Sequence, residues 1–189
     1  MHPAGARDYD AIFRAVGHAL WRWETFEASL ADLFTRLVRP RERVILERGY
    51  GSLASFKGRI DMVKAAMAAH LVVRPDPDLA KLFKDFAEMA EGFSARRNDI
   101  AHGWAMMTFG DSPAGPTHHY YLLPALYSAK GRTVTRVPRE DIRMEASAYA
   151  YNPEDIDFYA LHFADLTTLT QKLGGAVRQS QVSQKPKRR

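Results

Sequence analysis

A mainly α architecture is what the 189-residue sequence predicts: an antiparallel bundle of about four long helices, with a small β-hairpin or three-stranded insertion before the last helix. Three observations predict it. Through most of the first hundred positions apolar residues recur at three- and four-residue steps, the period of a helix with one buried face. Between residues 104 and 150 the pattern changes to short aromatic and β-branched runs separated by Gly and Pro. From residue 152 the helical period returns behind residues suited to capping.

The first helix is predicted over residues 9–38, with Ile12, Val16, Ala19, Leu20, Trp23, Phe26, Leu30, Leu33, Phe34 and Leu37 as its apolar stripe. Asp8 is placed to cap it and Pro40 to stop it. Glu27 breaks the pattern, because it lies four residues after Trp23 and three before Leu30, inside the stripe. The segment "RGYGSLAS" reads as a turn. Ser52 is the expected N-cap of a second helix running to about residue 73, with Phe56, Ile60, Val63, Met67 and Leu71 on one face. "VRPDPD" ends that helix, and Asp78 is the expected cap of the third. Leu79, Leu82, Phe83, Phe86, Ala90, Phe93, Arg97 and Ala101 follow its stripe, so Arg97 points the way the core residues point. After the β insertion, Asn152 is the expected N-cap of the last helix, with Pro153 in its first turn. Ile156, Tyr159, Phe163, Leu166, Leu169 and Leu173 form its buried face, and Gly174-Gly175 its expected end. The stretch 139–151 shows no decisive pattern. The organisation expected is one domain over residues 1–178, a β insertion at about 104–150, and a basic solvated tail at 179–189.

Composition narrows the chemistry. The chain is 46% hydrophobic and 26% charged, ordinary for a folded domain. It contains no cysteine, which removes disulfides, thiolate metal sites and a cysteine nucleophile. No run approaches the ~18 apolar residues of a membrane span, and the first residues lack the basic-then-apolar order of a signal peptide. A soluble cytoplasmic protein without a membrane partner is expected. The net charge of +5 is concentrated partly in "QKPKRR", which permits a polyanionic partner without establishing one.

Phosphate-loop, dinucleotide, zinc-protease and serine-hydrolase motifs are absent, and no metal or cofactor is expected. His118 and His119 are neighbours in a predicted strand and face opposite sides, so they do not share a metal. His70, near the apolar face of the second helix, reads as a hydrogen-bonded core histidine. What remains is "RRNDIAHG", residues 96–103, where an apolar helix stops. Arginine suits a phosphate and histidine exchanges a proton near neutral pH, so Arg97 and His102 form a minimal kit for cleaving a phosphodiester. A structural alternative stands beside it: Arg97 paired with Glu27, and His102 at the helix C-terminus, where a cation is favoured. Five residues at about 100° each turn the side chain by roughly 140°, so the two diverge on a regular helix. A two-fold dimer through this helix brings two copies of His102 together and supplies the second proton-handling group.

At these residues the sequence resembles the HEPN superfamily, helical domains marked by arginine, four to six residues, then histidine. The specific part is Arg97-Asn98-x-x-Ala101-His102-Gly103, within a resemblance of element order over residues 9–176. It implies a metal-independent endoribonuclease, acting as a homodimer and leaving 2′,3′-cyclic phosphate ends, often within toxin–antitoxin, defence or RNA-processing systems. Carried over, Arg97 and His102 are the catalytic pair and Asn98 their polar support, with RNA as substrate and an antitoxin or other protein as possible partner. Glu27 is the candidate to hold Arg97 in place. Where one toxin branch carries a modified tyrosine two residues after the histidine, this chain has Trp104, so control by nucleotide attachment there is not expected. Trp104 is open to two readings, stacking on a base or plugging the core. The alternative function is a non-catalytic HEPN-like module that binds RNA, nucleotide or a protein.

Overall fold

The computed structural model describes residues 6–112, 115–124 and 150–183. Its order is α1 (Tyr9–Val38), α2 (Arg43–Gly51), α3 (Phe56–Val73), α4 (Pro77–Ala101), β1 (Trp104–Ser112), β2 (Gly115–Leu123) and α5 (Pro153–Ser183). The protein is mainly α, with a two-stranded antiparallel hairpin before the last helix. Third-strand candidates and most of the stretch 139–151 lie outside the described residues. None of the described helices is long and apolar enough to cross a membrane.

The chain divides into two compact units, each discontinuous in sequence. One comprises Met1–Trp21 and Ala95–Leu161, the other Arg22–Ser94 and His162–Arg189. In the first unit, Asp8 caps α1 as expected, accepting from the Ala11 amide at 2.8 Å. The hairpin pairs Trp104 with Leu123 and Phe109 with His118 in an unbroken register. The other edge of β2 is bridged by Ala6 at Tyr120 and by Tyr151 at Leu122. Asn152 and Asp155 form a reciprocal cap: the Asp155 amide donates to Asn152 Oδ1 at 2.7 Å, and the Asn152 amide to Asp155 Oδ2 at 3.0 Å. Both donors would otherwise be orphaned at a buried helix start.

The second unit is built around Trp23, Phe26, Phe86 and Phe163, all buried. Trp23 meets Phe56 and Phe163 edge-on at 4.9 and 5.1 Å, and Phe26 meets Phe86 at 6.1 Å. Aromatic edges laid on aromatic faces bring α1, α3, α4 and α5 together here. α2 was not legible as a helix. It is short, its N-cap Glu42 makes no side-chain cap bond, and it is held by burial of Tyr50 against Phe34, 5.4 Å away. As a return leg it makes α3 run in the same direction as α1, so that Trp23 meets Phe56 and Glu27 meets Arg59. α4 runs against α1, with Phe86 at Phe26 and the later Phe93 at Phe163, the ring that meets the earlier Trp23.

Several helix ends correct the expectation. Ser52 is the C-cap of α2, while Ser55 caps α3 by accepting from the Gly58 amide at 3.1 Å. Asp76, not Asp78, caps α4, accepting from the Leu79 amide at 3.0 Å. α5 does not stop at Gly174-Gly175 but continues through them to Ser183, beyond the expected boundary at residue 178. A Cβ on Gly174 would lie 3.2 Å from Arg36 Cδ, so this glycine makes room for the end of α1.

Inside the stripe of α1, Glu27 is 6% exposed. Its carboxylate accepts from Trp23 Nε1 at 2.6 Å and from Arg59 Nη1, and Arg59 Nε donates to Leu53 O at 3.0 Å. Removing the carboxylate strands a mostly buried guanidinium and an indole N–H. Glu27→Ala is therefore expected to destabilise by about 3–5 kcal/mol, read as a lowered denaturation midpoint in urea. At the end of α1 the reverse is expected. Arg39 has φ +52° and its amide closes the helix on Thr35 O at 2.9 Å, the left-handed position glycine normally takes. Arg39→Gly should stabilise by about 1 kcal/mol in the same measurement.

Candidate functional site

The site of interest is the last turn of α4 and the step into β1, all within the first unit. The His102 amide donates to Asn98 O at 3.0 Å, so helical geometry persists to this residue. Gly103 then ends the helix under close steric constraint. A Cβ there would lie 2.8 Å from Asp99 O, 2.8 Å from Leu122 Cγ and 2.9 Å from Leu123 O. Only a residue without a side chain lets α4 close directly onto β2.

Two arginines stand side by side and do different work. Arg96 is partly buried, and its Nη1 donates to Asp99 Oδ2 and to Tyr151 Oη, both at 2.9 Å. The Tyr151 hydroxyl in turn donates to Asp99 Oδ2 at 3.1 Å. Tyr151 is also fixed by its backbone, exchanging hydrogen bonds of 2.8 and 2.9 Å with Leu122. Burial pushes its phenol up to about 12; the Arg96 hydrogen bond pulls against that, and the Asp99 charge reinforces it. The phenol is consequently protonated at neutral pH and available as the donor to Asp99. These three residues tie the end of α4 to β2 and to the approach to α5.

Arg97 lies half-buried on the same turn, and its Nη1 donates to Asn98 Oδ1 at 3.2 Å. Asn98 thus touches both members of the expected pair, through its side chain to Arg97 and its carbonyl to the His102 amide. Asn98 and His102 are exposed. Because the helix is regular to His102, the roughly 140° divergence between Arg97 and His102 holds within one chain. One chain presents them on different faces.

Of the two readings of Trp104, the core plug is corrected. It is 50% exposed at the start of β1, opposite Leu123. Glu27 belongs to the second unit, and the cation at its carboxylate is Arg59, a residue sequence reasoning did not single out. His70 is the buried histidine expected, with Nε2 2.9 Å from Ser180 Oγ. Ser180 donates its own hydroxyl hydrogen to Val177 O at 2.8 Å, so the His70 ring is the donor in that pair. Burial lowers its pKa, and the Arg74 charge adds to the effect. His118 is exposed and packs edge-on against Phe109 across the hairpin, 5.1 Å between ring centres.

Sequence reasoning missed Arg96, Asp99 and Tyr151 as a unit. Arg96 and Asp99 at i and i+3 on one helix were a usable signal. Tyr151 was not, since it arrives from 52 positions away. Among the described residues no group of three or more His, Asp or Glu side chains is arranged to hold a metal ion. Compared with protein-family models, with curated proteins and with solved structures, the chain matches none.

Two substitutions test this local construction. Tyr151→Phe removes a hydrogen bond to each of two charged groups and should destabilise by about 1.5–3 kcal/mol in chemical denaturation. Gly103→Ala should cost about 1–3 kcal/mol and shift the backbone amide resonances of Leu122 and Leu123, because helix end and strand must separate.

Proposed function

We propose that the protein is a metal-independent endoribonuclease of the HEPN type, working as a homodimer. The observation that carries the reading is the linked trio at the end of α4: Arg97 bonded to Asn98, Asn98 bonded to the His102 amide, and the polar ends of Asn98 and His102 open to solvent. The mainly α frame, in which the motif closes a long helix ahead of the last one, supports the reading, with the short α2 as an addition to the expected order.

The chemistry follows from the residue types. A ribose 2′-hydroxyl loses its proton to one imidazole as its oxygen attacks the adjacent phosphorus. The bond from phosphorus to the 5′-oxygen breaks, and a second imidazole protonates that leaving oxygen. The products are a 2′,3′-cyclic phosphate and a 5′-hydroxyl. Arginine neutralises the charge that builds on the non-bridging oxygens in the transition state. Asn98 orients the guanidinium. One chain supplies one histidine at the motif and turns it away from Arg97, so the reading requires the His102 of a second copy and a cleft shared about a two-fold axis. The divergence also favours a second reading, in which a single chain uses Arg97 only to bind RNA, nucleotide or protein.

The test is cleavage of an end-labelled mixed-sequence RNA in EDTA by wild type, Arg97→Ala and His102→Ala, each first shown folded and dimeric by circular dichroism and light scattering. Wild type is expected to leave cyclic phosphate ends, with His102→Ala slower by about 10²–10⁴-fold, the range of a lost general acid or base. Equal cleavage by all three would sink the assignment of the motif. Binding without cleavage, weakened by Arg97→Ala alone, would establish the second reading instead.

A further inference from the structure

The corner between α1 and α2, in the second unit, carries positive charge that its own packing does not explain. Residues 36–48 carry five arginines and no lysine: Arg36, Arg39, Arg41, Arg43 and Arg48. Two are satisfied internally, Arg36 by Asp32 at 2.6 Å and Arg43 by Glu47 and Asp32. Arg39, Arg41 and Arg48 are exposed and make no side-chain hydrogen bond or ion pair with any described residue. A single unpaired anion, Glu42, stands among them. Arg48 has a local reason to be where it is, since the last turn of α2 favours a cation. Arg39 has the opposite: it holds the strained left-handed position at the end of α1, and its side chain makes no hydrogen bond or ion pair with any described residue.

We infer that Arg39, Arg41 and Arg48 form a contact surface for the sugar–phosphate backbone of a single-stranded nucleic acid. The guanidinium fork matches phosphate oxygens in pairs, which a lysine does not, and only arginines are used here. Arg41 lies two residues before α2 and Arg48 in its last turn; the helical stretch from Arg43 to Arg48 alone advances about 7.5 Å, enough to span successive phosphates of one strand. The outward side chains beside Arg48 are Val44 and Ile45, 62% and 70% exposed, short and without a hydrogen-bonding group to read a base edge. An acidic partner helix would seat an apolar face in a groove, and the large apolar side chains that α2 exposes are Val44 and Ile45 alone. A membrane surface is the poorer fit, since a nine-residue helix with no outward aromatic residue offers little to insert. The surface shares no residue with the trio on α4 and binds without cutting, so the inference stands whether or not the ribonuclease reading does.

The test measures fluorescence anisotropy of a labelled 20-nucleotide RNA and of DNA of the same sequence, over a KCl series. The Arg97→Ala/His102→Ala protein serves as parent, so that no probe is cut. Replacing Arg39, Arg41 and Arg48 with Gln should flatten the slope of log affinity against log salt by about 2 for both probes, at roughly 0.7 for each phosphate no longer neutralised. Replacing Lys81, Lys172 and Arg178 with Gln removes the same charge elsewhere and should leave the slope within about 0.5 of the parent. Arg39→Gly alone should raise the thermal midpoint while weakening binding, a split that a purely structural arginine would not give. An unchanged slope in the Arg39/Arg41/Arg48 variant overturns the proposal, as does equal flattening by the control set. A loss confined to one of the two probes would overturn the backbone assignment in favour of sugar or base recognition. Binding of anionic vesicles or polyglutamate that depends on these arginines, with no effect on nucleic acid, would overturn it in favour of those partners.

Discussion

The closure of α4 onto β2 at Gly103 is the constraint on which the candidate site depends. Backbone oxygens of Asp99 and Leu123 and the side chain of Leu122 occupy the space around that residue, so the helix must end there and the hairpin must start at once. That fixes the last helical turn in direction and depth. The Arg96–Asp99–Tyr151 cluster then holds the turn from its inner side, with one guanidinium nitrogen shared between a carboxylate and a phenol. Arg96 meets the structural demand, while Asn98 and His102 near the end of the same turn stand exposed and can face a ligand. The division of labour between two adjacent arginines follows from helix geometry, which sets neighbours about 100° apart.

A second buried charge cluster organises the other unit by different means. Glu27 sits where the α1 stripe demands an apolar residue, and burying a carboxylate without partners would be prohibitive. Trp23 and Arg59 satisfy it, and Arg59 reaches on to Leu53 O, so a single side chain links α1, α3 and the loop before α3. Such a pair contributes less to net stability than to a unique arrangement, because alternatives leave a charge unpaired. It fixes how α3 lies along α1, a relation that interchangeable apolar contacts would specify weakly. α2 completes the arrangement by returning the chain, anchored through Tyr50 against Phe34.

Much of the fold was legible because it rests on short-range rules. The bounds of α1, the Asp8 cap, the Asn152 cap and the change of pattern near Trp104 all follow from residues within four positions of one another. Errors arose where two local signals competed. Ser52 and Ser55 are both plausible caps, as are Asp76 and Asp78, and the choice rests on which helix end packs where. Gly174-Gly175 reads as a stop, yet α5 continues through it, with Gly174 buried where Arg36 occupies the space a side chain would need and Leu173 and Val177 buried on either side. In α2 nine residues with two glycines and no side-chain cap gave no local reason for a helix, and tertiary burial of one tyrosine supplied it.

By itself, then, the sequence determined the helical class, the place of the hairpin and the polar trio Arg97, Asn98 and His102, since periodicity, capping and adjacency are written in neighbouring residues. Tertiary structure alone decided that Arg96 reaches Tyr151, that Arg59 is the cation at Glu27, that Tyr151 joins Asp99, and that Trp104 faces outward. These outcomes bring together residues 32 to 55 positions apart, or depend on which face a neighbouring element covers. No local propensity encodes such a distance. It emerges only when apolar faces have been buried and each enclosed charge has found the one partner within reach.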